Sequence, residues 1–129
     1  MSLGPRTVTV FCTDDQAIFR DAMSEIIAAT PGLTHVGEAA SGEAAIAAVA
    51  ALRPDIVLMD IHMPGLGGFE AASILAGGRR SVLVILMSAD PVEPPPGFPP
   101  AGAEVPFVAK AELCPRTLLD LWHGRRTHY

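Results

Sequence analysis

Five positions carry groups that could do chemistry together: the acidic pair Asp14-Asp15, then Asp60, Ser88 and Lys110. Each follows an apolar, β-rich run: Thr7–Cys12, Ile56–Met59, Ser81–Met87 and Val105–Ala109. If these runs are parallel strands of one sheet, their carboxyl ends share an edge, and open α/β sheets bind ligands beyond that edge. Three carboxylates there repel one another and need a counter-charge. A hard divalent cation with oxygen ligands supplies one, and Mg²⁺ in such a site keeps some waters and takes a phosphate oxygen as well. A carboxylate can attack phosphorus to give an aspartyl-phosphate. That transfer depends on positioning and charge stabilisation more than on acid–base groups. Lys110 can meet the transferred group as a point charge, and the Ser88 hydroxyl can hydrogen-bond one of its oxygens. Taken alone, Asp60 reads more simply as a strand-end carboxylate capping the next turn.

The elements that must position these groups are legible in outline. Thr7–Cys12 predicts a first strand, and Asp15 is placed to cap the helix after it. Over Gln16–Ala29, the positions Ile18, Phe19, Ala22, Met23, Ile26 and Ile27 fall at helical spacing and predict one apolar face. Thr30-Pro31-Gly32 ends that helix, and Leu33–Gly37 is a short second strand. Ser41 predicts a cap for a second helix over Gly42–Leu52, with Ile46 and Val49 inward. Asp55 starts the third strand, whose unbroken run Ile56–Met59 predicts burial on both faces. The turn Met63-Pro64-Gly65 and Gly67-Gly68 leads into a third helix from about Phe69 to Ala76, ended by Gly77-Gly78. Pro106 moves the fifth strand toward an edge, or toward a start after the proline. Pro115 suits the first turn of a closing helix over Arg116–His123, with Leu118, Leu119, Leu121 and Trp122 as its apolar content. Strands alternating with helices predict a doubly wound, five-stranded parallel sheet in three layers.

One segment breaks the alternation. Pro91, Pro94, Pro95, Pro96, Pro99 and Pro100 stand where a fourth helix is due. Each interior proline removes a backbone donor and costs about 3 kcal/mol in a helix. The sequence therefore predicts an irregular or polyproline-like loop through 91–100, either a disordered loop or a surface specialised for a partner.

The bulk composition sets limits. A chain of 129 residues, half of them hydrophobic, fits one domain with a real core. The expected division is a single domain over 1–129, with a core at 6–123, the proline-rich loop at 91–100 and a tail at 124–129. The net charge of −5 gives no general attraction to nucleic acid or anionic membrane. Cys12 and Cys114 lack metal-ligand spacing and read as reduced thiols of a cytoplasmic protein, with a disulfide the second choice. No apolar run approaches a membrane span, and no charged region precedes an apolar leader.

The motifs in order resemble the receiver domain of bacterial two-component response regulators over nearly the whole chain. The matching stretches are the acidic pair in TDDQAIFR, DIVLMDIHMPG, the hydroxyl in MSAD and the lysine in FVAK. VGEAASGEAA and FEAA are similar to the subgroup whose members often carry a C-terminal helix-turn-helix that binds DNA. The resemblance implies a flavodoxin-like (CheY-like) fold and a signalling domain that catalyses its own phosphorylation and dephosphorylation, not a conventional enzyme. Asp60 is then the phosphoacceptor. Asp15 binds Mg²⁺ directly, Asp14 helps directly or through water, and the backbone carbonyl of His62 completes the protein ligands. Ser88 and Lys110 read the phosphorylated state. Phe107 takes the position of the aromatic switch, with a plain core aromatic as the equal alternative. Side chains at His62 and Asp90 tune phosphate lifetime in the family; for His62 a solvated loop histidine is the even alternative. His35, His123 and His128 do not cluster.

The resemblance also implies a histidine kinase or phosphotransfer protein as donor, and an output domain or downstream protein as receiver of the signal. Two departures from the family pattern stand out. Gly67 replaces a residue that is commonly acidic or polar. The proline-rich 91–100 alters the face through which relatives usually dimerise. Two readings follow: a phosphorylation-controlled switch, or a receiver-fold interaction module that works without phosphorylation. A hydrolase lacks its second carboxylate, since His62 sits two residues after Asp60. The chain reads as a stand-alone receiver or as part of a longer regulator, with no nucleic-acid binding of its own.

Overall fold

The two unbroken apolar runs become neighbouring strands at the heart of a five-stranded sheet. In a computed structural model describing residues 7–78 and 82–125, the order of elements is β1 (Val8–Thr13), α1 (Ala17–Ala28), β2 (Leu33–Ala39), α2 (Gly42–Leu52), β3 (Ile56–Asp60), α3 (Gly68–Ala76), β4 (Leu83–Ser88), β5 (Phe107–Ala109), a 3₁₀ turn (Lys110–Glu112) and α4 (Pro115–Arg125). The sheet runs β2-β1-β3-β4-β5, and every pairing is parallel. All residues of β3 and β4 are buried, as their two-sided apolar character requires. Among the described residues, no helix is long and apolar enough to cross a membrane.

Alternation along the strands divides the core into two layers. Phe11, Val57, Met59, Val84 and Leu86 face α2 and α3. Val10, Cys12, Ile56, Leu58, Ile85 and Met87 face α1 and α4, where Leu118 and Trp122 are buried. The register sets Thr13 beside Met59, Asp60 beside Met87 and Ser88 beside Ala109. The ends of β1, β3, β4 and β5 thus reach one edge within a residue or two of each other.

Several expectations are corrected in detail. The residue before α1 is Gln16, whose side chain makes no cap; Asp15 does not cap the helix, and Asp14 Oδ1 accepts the Gln16 N–H at 2.9 Å instead. The buried stripe of α1 is narrower than the apolar periodicity suggests. Met23 and Ile27 are buried with Phe19 packed beside them, while Ile18 is 86% exposed, Ile26 is 43% exposed and Ala22 faces solvent. The helix presents its 19/23/27 row to the sheet, and the 18/22/26 row lies about 100° round the axis. In α2 the inward residues are Ala45 and Val49, with Ile46 half-buried. Its Ser41 cap is present: Oγ accepts the Ala44 N–H at 3.1 Å. The second strand extends to Ala39, because its outer residues continue the ladder with Cys12 and Thr13. Pro106 keeps β5 to three residues at the edge of the sheet, starting at Phe107. Ser81, expected to open the fourth strand, residue 6 of the expected core, and 126–129 of the expected tail lie outside the described residues.

No helix or strand forms between Ala89 and Pro106. The segment is an ordered strap nonetheless. Phe98 N–H bonds Pro95 O at 3.2 Å, and Ala103 N–H bonds Pro100 O at 2.9 Å. Gly97 (φ 82°) and Gly102 (φ 81°) stand third in these two turns, the type II pattern that positive φ at that position demands. Val92, Phe98 and Val105 pack on the layer that holds α2 and α3, and Phe98 meets Phe69 edge-on with ring centroids 5.0 Å apart. Burial of these side chains, rather than a hydrogen-bonded helix, ties the strap down.

Candidate functional site

The sheet edge brings four of the expected groups together. Asp14 continues β1 and is fully buried; Asp60 ends β3 at 4% exposure; Ser88 ends β4 at 1%; Lys110 follows β5. Lys110 Nζ lies 2.7 Å from Asp14 Oδ2 and 3.6 Å from Asp60 Oδ2. The ammonium also sits 4.4 Å from the centre of the Phe19 ring, whose face favours a cation. Burial alone would pull the Lys110 ammonium down, but its hydrogen bond to Asp14 and the charges of Asp60 and Asp14 outweigh that and hold it above the usual lysine range. Burial, and then the neighbouring Asp14, push the Asp60 carboxyl above the usual carboxylate range, against the pull of Lys110 and the His62 N–H.

Asp15 is exposed at the mouth of this cluster. Asp14, Asp15 and Asp60 each offer a carboxylate oxygen within 4.8 Å of the others. Lys110 offsets only one of these three negative charges. An all-oxygen set with uncompensated charge, two of its members buried, fits a hard divalent cation.

The turn after Asp60 is shaped by close approach. A Cβ on Gly68 would lie 2.3 Å from the Asp60 carbonyl oxygen, so only glycine lets α3 begin there. Gly67, the residue before α3, has open space around it. The His62 side chain is exposed, and its backbone N–H reaches Asp60 Oδ1 at 3.4 Å. Ser88 is not turned to Asp60: its hydroxyl donates to Asp90 O at 2.7 Å and accepts the Asp90 N–H at 3.2 Å. Phe107 is 42% exposed, which overturns the plain core reading of that residue; the register sets it beside Leu86, on the face of the sheet where no helix forms between β4 and β5.

Sequence reasoning missed Arg20. Its Nη1 donates to the Asp14 carbonyl at 2.7 Å and its Nε lies 3.5 Å from Glu38 Oε2, so it ties α1 to the ends of β1 and β2. Its place one turn beyond Gln16 on α1 was the available signal. His35 and His123 lie away from the site, and His128 falls outside the described residues.

The model of the response regulator receiver domain matches residues 10–94. A protein-glutamate methylesterase/protein-glutamine glutaminase of Anaeromyxobacter dehalogenans is 41% identical over 91 residues, 70% of this chain and 26% of that protein. The response regulator GacA of Pseudomonas viridiflava is 35% identical over 89 residues, 69% of this chain and 42% of that protein. The chain therefore spans between a quarter and a half of these relatives. Among solved structures, the signal receiver domain of a NarL response regulator from Mycobacterium tuberculosis superposes with a TM-score of 0.78 at 28% identity, covering 93% of this chain and 99% of that one.

Proposed function

This chain belongs to the response regulator receiver family, and from that premise we propose that Asp60 is its phosphoacceptor, loaded by a partner histidine kinase or phosphotransfer protein. The observation that carries the reading is the buried Asp14–Lys110–Asp60 cluster with Asp15 at its mouth. A carboxylate oxygen of Asp60 attacks the phosphorus of a phosphohistidine; the P–O bond forms as the P–N bond breaks, and the imidazole leaves with the electron pair. Lys110 exchanges part of its bond to Asp14 for the phosphoryl oxygens, and Ser88 turns its hydroxyl from Asp90 O to the same group. Asp14, Asp15, Asp60 and the His62 carbonyl would hold Mg²⁺, which when bound would supply the positive charge that phosphoryl transfer requires. Loss of the phosphoryl group uses the same residues with water as nucleophile. The domain acts as a signalling module of the cytoplasm that catalyses its own loading and unloading.

The signal goes to an output domain or a downstream protein through the face formed by β5, α4 and the strap. The acidic site favours this over a receiver fold working without phosphorylation. The test is phosphorus-31 NMR after mixing with phosphoramidate and Mg²⁺. An acyl-phosphate resonance that disappears in Asp60→Asn is expected; its absence from the wild type supports the non-phosphorylated module.

A further inference from the structure

We propose that Arg20, in the first turn of α1, is a positioning residue for the divalent cation: it holds the main chain between Asp14 and Asp15 so that both carboxylates converge with Asp60. The inference rests on the phosphoacceptor reading and adds to its cation site a residue that touches no cation itself.

Asp14 is fixed from every side. Its N–H meets Ala39 O at 3.1 Å, its Oδ1 accepts the Gln16 N–H at 2.9 Å, its Oδ2 lies 2.7 Å from Lys110 Nζ, and its carbonyl accepts Arg20 Nη1 at 2.7 Å. The first three restrain the strand and the side chain. The Arg20 bond restrains the peptide that leads out to Asp15. That peptide is planar, so the direction of its carbonyl also sets the direction of the Asp15 Cα. Asp15 is the exposed member of the acidic set, and its carboxylate reaches within 4.8 Å of those of Asp14 and Asp60.

Arg20 is itself anchored. Its backbone N–H bonds Gln16 O at 3.2 Å, and its Nε lies 3.5 Å from Glu38 Oε2. Glu38 stands in register with Cys12, on the strand that Asp14 continues. The guanidinium therefore spans from β2 to the Asp14 carbonyl with different nitrogens of one planar fork, which the single nitrogen of a lysine cannot do. The donor is charged and Asp14 is fully buried, so the bond is a strong one and its loss leaves a buried acceptor unmet. The peptide then turns toward water and carries Asp15 away from its partners. Phe19, the residue before Arg20, lies under the Lys110 ammonium, so the same turn of α1 meets both members of the buried Asp14–Lys110 pair.

Charge and position predict opposite outcomes at Arg20. Deleting a positive charge near the site would, by charge alone, tighten the hold on another cation. Deleting a support of the acidic set loosens it.

The test is a Mg²⁺ titration of the full chain, followed by the amide NMR signals of residues 14, 15 and 60, with urea unfolding to establish that each variant is folded. Arg20→Met is expected to raise the Mg²⁺ dissociation constant about tenfold, the size usual for losing a group that orients a metal ligand. Arg20→Lys keeps the charge without the span and is expected to fall between that variant and the wild type. A folded Arg20→Met chain that binds Mg²⁺ as tightly as the wild type, or more tightly, overturns the proposal. If Arg20→Met does not fold, Arg20→Lys decides: weaker binding supports the proposal, and binding equal to the wild type overturns it. A wild type whose signals do not move with Mg²⁺ overturns the cation site of the phosphoacceptor reading itself, and the role of Arg20 with it.

Discussion

Lys110 is held more closely by Asp14 than by Asp60: its Nζ is 2.7 Å from Asp14 Oδ2 and 3.6 Å from Asp60 Oδ2. The lysine is thus parked on a fully buried carboxylate whose charge would otherwise be costly. Removing one partner of a buried pair leaves the other uncompensated, at about 3 kcal/mol or more. Lys110→Ala is therefore expected to lower stability by about 3 kcal/mol in chemical denaturation without divalent cations. Added Mg²⁺ should restore part of that loss, because it meets the same carboxylates. A variant as stable as the wild type would show that Asp14 draws its compensation from elsewhere.

Asp60 carries the opposite sign. Burial and Asp14 raise its carboxyl above the unfolded value, so the folded chain holds its proton over a range where the unfolded chain has lost it. Its contribution to stability therefore declines as pH rises through that range, and at neutral pH its charge is a net cost. Without divalent cations, Asp60→Asn should be more stable than wild type at pH 7. The gap should close as pH is lowered through the carboxylate range. Thermal unfolding at several pH values checks this; a gap that widens on acidification would contradict it.

The two glycines before α3 should respond differently to substitution. Gly68→Ala sets a methyl against the Asp60 carbonyl at 2.3 Å and should cost several kcal/mol or displace the α3 start. Gly67→Ser, at an open N-cap, should gain a few tenths of a kcal/mol. Urea midpoints of the two variants decide it.

The cysteines should differ in reactivity. Burial, helped by Asp14 and Glu38, pushes the Cys12 thiol up to about 12. Cys114 is exposed, and its hydrogen bond with Thr117 lowers it. An aromatic disulfide reagent should take one thiol rapidly in the folded protein and the second only on unfolding. Below pH 8, Thr117→Val should slow the first reaction.

These groups show what a sequence can disclose. The central strands were plain because Ile56–Met59 and Val84–Met87 are apolar without interruption, and only two-sided burial uses such a run. Asp60, Asp14, Ser88 and Lys110 were visible because each is a polar residue that ends or directly follows an apolar strand. The absence of a helix between β4 and β5 followed from prolines that cannot donate. Other features depend on rotation and partner choice, which composition does not encode. Ile18 is as apolar as Phe19, yet a rotation of about 100° puts it in water. Phe107 is exposed because no helix between β4 and β5 covers its face of the sheet. The bonds of Ser88 to Asp90 and of Arg20 to the Asp14 carbonyl engage backbone groups that every residue carries, so no residue type announces them.

The central claim is that Asp60 takes up a phosphoryl group, and the most direct measurement is intact mass after incubation with acetyl phosphate and Mg²⁺, beside Asp60→Asn. One phosphoryl adduct, which does not form when the cation is chelated beforehand and is missing from the variant, is the predicted result. An adduct that persists in Asp60→Asn, or no adduct in a wild-type chain that also fails to bind beryllofluoride, would contradict it.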